Sequence, residues 1–266
     1  MATTGTSVFD DDYYPEFCYF ASRHEDVFRN FKRHPVYNRV VEYMSPEFGQ
    51  ECFEFILKNP VANFSEDDWL FFLQNDSLGN PYLSQFDYGD SMVIASPTTL
   101  RYVKVLIDVL NFFDVANIQT VTEVGIGYGG QCRILLNILP IQRYNLVDLP
   151  EVLALAEKFL SRLNVTDNVR YLDGTHLYND APCDLFISDY AFSELGKPAQ
   201  ELYIEKILSK SKAGYVTWDG DFFAEAGLYD GFTLEEFVSF LPDAIILPEN
   251  PVTTSDANRI IIWGAK

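Results

Sequence analysis

Residues 121–131, Val-Thr-Glu-Val-Gly-Ile-Gly-Tyr-Gly-Gly-Gln, constrain this chain more than any other stretch. A short β-branched run ends in an acid, and glycines follow at positions 125, 127, 129 and 130. Glycine lets the backbone turn sharply and approach a ligand with no Cβ in the way, and a helix after such a turn presents unpaired N–H groups. The segment therefore reads as a nucleotide-binding turn between a strand and a helix. Gly125, Gly127 and Gly130 also satisfy the dinucleotide pattern G-x-G-x-x-G, so the glycines alone leave a nicotinamide-dependent oxidoreductase open. Glu123 separates the two. A carboxylate on the last inward position of the strand suits a cationic amino group, such as that of the methionine moiety of S-adenosylmethionine, and offers nothing to a pyrophosphate.

The surroundings of this turn set the fold class. From residue 118 onward strands alternate with helices, the pattern of a doubly wound α/β sheet. Strands are expected at 120–124, 143–147, 169–172, 184–188 and 214–218, with helices at 131–139, 150–163 and 199–211. Segments 244–247 and 259–263 are two further strands. The connection between them is too short for a crossover helix, so they pair antiparallel. A seven-stranded, mostly parallel Rossmann-like sheet closed by an antiparallel last strand is the architecture of class I methyltransferases. Upstream, apolar residues at helical spacing (Val27, Phe28, Phe31, then Val36, Tyr37, Val40, Val41, Met44) predict an N-terminal helical region. Pro46 and Pro60 punctuate it, Ser65 caps a short helix with acids in its first turn, and 75–81 is a loop. Ser96-Pro97 opens an amphipathic helix to Phe113 that leads into the glycine segment. The expected division is 1–95, a helical cap over the acceptor, and 96–266, the methyltransferase domain.

Composition narrows the partners. The chain has 266 residues, 48% hydrophobic and 15% aromatic, enough to bury a large core. Its formal charge of −20, from 19 Lys plus Arg against 39 Asp plus Glu, repels phosphate backbones and anionic membranes. Neither nucleic acid nor membrane is an expected partner. The densest basic cluster, Arg29, Lys32, Arg33 and His34, is set among acids. The first twelve residues lack the pattern of a signal peptide and no run reaches the length of a membrane span, so a cytoplasmic protein is expected. Cys18, Cys52, Cys132 and Cys183 have no metal or redox spacing and read as reduced core thiols. A homo-oligomer is left open.

In open parallel sheets ligands sit beyond the carboxyl ends of the strands, and those ends are polar here. After the first strand come Glu123, Gly125, Gly127, Tyr128 and Gly129. After the second come Asp148 and Leu149, at a spacing that suits a carboxylate gripping ribose hydroxyls, Asp148 also being a fitting helix N-cap. Asp173, Gly174 and Thr175 follow the third, where the acid can accept from an adenine amino group or simply close a turn. His176 beside them is a weaker base candidate. Ser188, Asp189 and Glu194 follow the fourth strand, and Asp219 and Asp221 the fifth. Methyl transfer to an alkyl hydroxyl needs a general base, for which Asp189, Glu194 and Asp219 are candidates. Alternatively Asp189, Asp219 and Asp221 are hard oxygen ligands for Mg²⁺, an arrangement ranked below the metal-free base.

Four segments carry a resemblance. Ser96-Pro-Thr-Thr-Leu-Arg-Tyr102, Glu123-Val-Gly-Ile-Gly-Tyr-Gly-Gly-Gln131, Tyr144-Asn-Leu-Val-Asp-Leu-Pro150 and Tyr190-Ala-Phe-Ser-Glu-Leu195 together resemble the sugar O-methyltransferases, over a region from about His34 to Trp218. The resemblance implies S-adenosylmethionine as donor and a hydroxyl of a free, nucleotide-linked or glycan sugar as acceptor. It implies that Arg101 and Tyr102 face the active site, with Arg101 on the cofactor. In that family asparagine is usual where this chain has Asp189 and Asp219, which favours Glu194 as base. Aromatic residues Tyr13, Tyr14, Phe17, Tyr19 and Phe20 suit stacking on a sugar face, and equally a core or dimer contact. A non-catalytic methyltransferase-like subunit is a third reading, against which Glu123, Asp148 and Asp173 are all present.

Overall fold

The computed structural model describes residues 13–177, 182–219 and 230–266. Helices α1 (Tyr14–Arg23), α2 (Glu25–Phe28), α3 (Pro35–Asn38), α4 (Pro46–Lys58) and α5 (Glu66–Leu73) form the N-terminal layer. Helix α5 starts where the sequence puts it, with Ser65 and Asp68 in a reciprocal capping box; at the start of α4, Ser45 accepts from the Phe48 N–H. A hairpin of β1 (Ser84–Tyr88) and β2 (Ser91–Ala95) follows. No strand is expected there from apolar periodicity, because Phe86, Val93 and Ala95 are its buried members and the outer face carries exposed Met92 and Ile94. The local signal was the two-residue turn Gly89-Asp90, which the register Tyr88 to Ser91 closes.

Helix α6 (Pro97–Phe112) then enters the Rossmann-like part: β3 (Thr120–Val124), α7 (Gly130–Ile138), β4 (Arg143–Asp148), α8 (Pro150–Arg162), β5 (Val169–Asp173), β6 (Leu185–Asp189), α9 (Lys197–Lys206), β7 (Ala213–Trp218), α10 (Leu234–Val238), β8 (Ile245–Pro248) and β9 (Arg259–Trp263). The sheet order is β5-β4-β3-β6-β7-β9-β8, with β9 antiparallel to both neighbours. This is the mostly parallel seven-stranded sheet expected of the class I methyltransferase fold. Helix α9 is shorter than the expected 199–211, which breaks after Lys206 into a 3-10 turn at Leu208–Lys210.

The central strands are buried on both faces, as parallel sheets require. One face packs with α6, α7 and α8 and merges with the N-terminal helices into a continuous core containing Phe28, Phe31, Tyr37, Phe53, Leu106, Tyr144 and Phe159. The other face is covered by α9 and α10, with Trp218 stacked on Phe237 at 5.0 Å. A buried ion pair ties α6 to the sheet: Lys104 Nζ lies 2.8 Å from Asp108, whose carboxylate also accepts the Tyr215 hydroxyl at 2.8 Å. The cysteines at 18, 52, 132 and 183 are buried free thiols. No described helix is long and apolar enough to cross a membrane.

Candidate active site

Strand order reverses between β3 and β6, and the carboxyl ends there open into a cleft of about 1090 Å³, its mouth included. Its floor is the glycine turn. Gly125 has φ +77°, and a Cβ there would lie 1.9 Å from the Ala191 Cβ. Gly127, at φ +53°, lies under Val41 of the N-terminal layer. The turn is pinned by Asp148, whose carboxylate accepts the Ile126 N–H at 2.8 Å and the Leu149 N–H at 2.8 Å. Glu123, Gly125, Gly127, Asp148 and Leu149 all line the cleft, with Gly174 and Thr175 beyond β5.

Glu123 is 3% exposed and accepts the Tyr144 hydroxyl at 2.6 Å. Burial pushes its carboxyl up to about 8. The Tyr144 hydrogen bond opposes that rise, the nearby Asp189 and Asp148 add to it, and Arg101 pulls it back. An acid so placed gains by meeting a cationic ligand.

Arg101 of α6 is 7% exposed and lines the cleft beside Tyr102. Its Nη1 is 2.9 Å from Asp189 Oδ2, and its guanidinium lies 5.2 Å from the Tyr102 ring and 5.3 Å from the Tyr190 ring. Asp189 Oδ1 accepts the Thr217 hydroxyl at 2.8 Å. Tyr190 has φ +70°, uncommon for a residue with a side chain, and its hydroxyl donates to the buried Glu249 carboxylate. Glu249 in turn accepts from Thr253 and Asn258, so the loop between β8 and β9 holds Tyr190 in place. Sequence reasoning missed Glu249; nothing local distinguishes it from the chain's other acids.

The three base candidates occupy different settings. Glu194 is half-buried, lines the cleft, and is not hydrogen-bonded or ion-paired to another described residue. Burial and the neighbouring Asp219 push its carboxyl well up, against Arg101. Asp189 lines the cleft but is held by Arg101. Asp219 is outside the lining; it is buried, and Ser193 Oγ lies 2.6 Å from its Oδ1. Burial pushes Asp219 up to about 7 despite that bond. Asp221 lies outside the described residues. Among the described residues no three His, Cys, Asp or Glu side chains converge on a metal position.

Other expected contacts lie behind the cleft. Tyr128 is fully buried under the N-terminal layer, with Lys32 Nζ 3.8 Å from its ring centre. Gly129 caps α7 in a left-handed conformation. Ser188 spends its hydroxyl on Val124 O and the Phe192 N–H, both at 2.9 Å. Asp173 closes a turn onto Thr175, and its carboxyl lies below the usual range although burial works the other way, because Thr175 and His176 bond to it. His176 is exposed on that turn. The basic cluster does not form a patch: Lys32 is buried against Glu42, and Arg29 pairs with Asp26.

The cleft is roofed by Tyr14, Val40, Val41 and Tyr43. Tyr43 was not expected, being one exposed-looking aromatic at the end of a helical run. Of the N-terminal aromatics, Tyr14 reaches the cleft, Phe17 stacks on His34 at 4.1 Å, and Tyr13, Tyr19 and Phe20 are exposed.

No protein-family model matches the chain, and no curated protein matches its sequence. Solved structures similar in fold include an O-methyltransferase family protein from Burkholderia thailandensis, at 13% identity over 61% of this chain and 55% of that one, with a TM-score of 0.46. They also include the methyltransferase domain of a bacterial CtHen1, at 14% identity over 61% of this chain and 96% of that one, TM-score 0.44. Human N-acetylserotonin methyltransferase, solved with S-adenosylmethionine, is similar at 15% identity over 58% of this chain and 49% of that one, TM-score 0.42. The chain thus spans about half the length of the Burkholderia and human proteins.

Proposed function

We propose that this protein is an S-adenosylmethionine-dependent O-methyltransferase acting on a sugar hydroxyl, with residues 1–95 covering the acceptor. The observation that carries the reading is Glu123, a buried carboxylate on the end of β3 that lines the cleft beside the glycine turn. The donor set fits the cofactor: Glu123 for its ammonium, the open floor at Gly125 and Gly127, and Asp148 and Thr175 along the nucleoside side. When bound, the cofactor supplies an activated methyl group on a sulfonium. Glu194 is assigned as the base that takes the proton the acceptor hydroxyl loses, since it alone of the three candidate acids both lines the cleft and is not engaged by another described side chain. Its raised pKa suits an alcohol proton better than an ordinary carboxylate would. Because it must be ionised to act, the rate should rise with pH through that raised value. Tyr43 and Tyr190 line the same part of the cleft and suit the faces of a sugar ring. The sugar itself is supported by the four-segment resemblance.

Calorimetric titration with S-adenosylhomocysteine, repeated with magnesium and with EDTA, and with NADH as the comparison ligand, tests the cofactor class. Saturable binding of S-adenosylhomocysteine alone is expected, and an acceptor screen of sugars follows from it. Binding of NADH instead would revive the oxidoreductase; binding of neither would favour a non-catalytic subunit.

A further inference from the structure

The cleft wall is short of positive charge. Glu123, Asp148, Asp189 and Glu194 line it, and among the described lining residues Arg101 is the sole lysine, arginine or histidine. That cation is committed to Asp189, 2.9 Å away. Two more acids stand behind the wall: Asp219, 8% exposed beside Ser193, and Glu249, 4% exposed behind Tyr190. Segments 1–12, 178–181 and 220–229 contain no lysine, arginine or histidine, so they supply no further cation. Unmet hydrogen bonding points the same way. Glu194 is not hydrogen-bonded or ion-paired to another described residue, and Gln131, 1% exposed and lining the cleft, has a buried Oε1 with no partner. A carboxylate and an amide oxygen both call for donors. Arg101 Nε is the converse, a buried donor without a partner, on the residue that the resemblance gives to the cofactor.

Of the four lining acids, the reading above gives Glu123 to the cofactor's ammonium, Asp148 holds the N–H groups of the turn, and Asp189 holds Arg101. Glu194 is what remains for the acceptor. Resting on that reading, we propose that the acceptor is an amino sugar bound in its ammonium form, with the ammonium on Glu194 next to the hydroxyl that is methylated. Tyr43 and Tyr190 line the cleft, Tyr43 within electrostatic reach of Glu194 and Asp219, and aromatic faces attract a cation. Burial and Asp219 push the Glu194 carboxyl well up, and an ammonium opposes that rise, so the acceptor brings the charge that ionises its own base. The two carboxylate oxygens divide the work: one receives an ammonium N–H, and the other takes the hydroxyl proton. The nitrogen keeps its protons and is not a nucleophile. A nucleotide-linked or acidic sugar would instead bring like charge to a wall of carboxylates.

The test uses the full chain saturated with S-adenosylhomocysteine. Calorimetry measures its affinity for 2-amino, 3-amino and 4-amino hexoses, for the parent hexoses with a hydroxyl in place of the amine, for glucuronate and for uridine-diphosphate glucose. At least one amino hexose should bind ~10- to 100-fold more tightly than its parent, the scale of a hydrogen bond to a charged group, and the two anions should bind more weakly than either. Labelled methyl transfer from S-adenosylmethionine to that amino hexose should place the methyl on oxygen. Glu194→Gln should bring the amino hexose within about two-fold of its parent in affinity. Asp219→Asn should narrow the preference by less, and it serves as the readout if thermal melts show that Glu194→Gln does not fold. A parent hexose or an anionic sugar bound as tightly as the best amino hexose, or a preference unchanged in the folded variants, would overturn the proposal and leave sugar methylation standing. A methyl found on nitrogen would overturn both. If S-adenosylhomocysteine binds but no sugar is bound or methylated, the sugar reading fails first and takes this proposal with it.

Discussion

At the scale of single residues, the informative quantity is the protonation of Glu123. Its carboxyl is raised to about 8 by burial, whereas an unfolded glutamate titrates near ~4.3. Between these values the folded chain binds more protons than the unfolded one, so stability falls as pH rises through that window. A tenfold difference in proton affinity between the two states is worth ~1.4 kcal/mol, and Glu123→Gln should flatten the decline measured by urea denaturation between about pH 5 and 8. The same carboxyl must ionise to hold an ammonium. Binding of S-adenosylhomocysteine at pH 7 should therefore release a proton, visible as a dependence of the calorimetric heat on the buffer's ionisation enthalpy. Glu123→Gln should abolish that dependence and weaken binding; an unchanged proton release in the variant would remove Glu123 from the ligand.

Among the elements, α6 links sequence to site most directly, because it carries Arg101 and Tyr102 and is anchored at both levels. At its start Ser96 Oγ accepts the Thr99 N–H at 3.1 Å and donates to Asp76 at 2.7 Å; the Thr99 hydroxyl also donates to Asp76, at 2.8 Å. The cap was readable from Ser96-Pro97, but its partner Asp76, twenty residues earlier, was not: the expected loop at 75–81 begins with a 3-10 turn over Gln74–Ser77, and an acid in so short a turn has no periodicity to betray its target. Ser96→Ala should cost ~1–2 kcal/mol, seen as a melting temperature lower by about 2–8 °C. A loss of cofactor affinity beyond that expected from stability would show that the cap also sets the position of Arg101. The β1–β2 hairpin was illegible for the opposite reason: with both faces partly exposed, its strands lack the alternation that marks a half-buried sheet.

For the whole molecule, the charge of −20 on a single folded chain is the dominant long-range term. Self-repulsion opposes the compact state and is screened by salt, with a Debye length of ~10 Å at 0.1 M and ~3 Å at 1 M. Thermal stability should therefore rise from low salt to about 0.5 M sodium chloride, and a melting temperature that falls instead would mean that surface ion pairs outweigh the repulsion. By itself the sequence determined the strand–helix alternation, the glycine turn, the antiparallel closing strand and the carboxylates at the strand ends, because these follow from local periodicity and backbone permissiveness. Only the tertiary structure decided which acids line the cleft. Asp189, Glu194 and Asp219 look alike in one dimension, but packing pairs the first with Arg101, leaves the second on the cleft wall and hides the third behind Ser193. Tyr43 and Glu249 joined the site from positions 147 residues before and 59 residues after Tyr190, respectively. The physical reason is that burial and charge pairing are sums over neighbours brought together by the fold, which no window of local sequence contains.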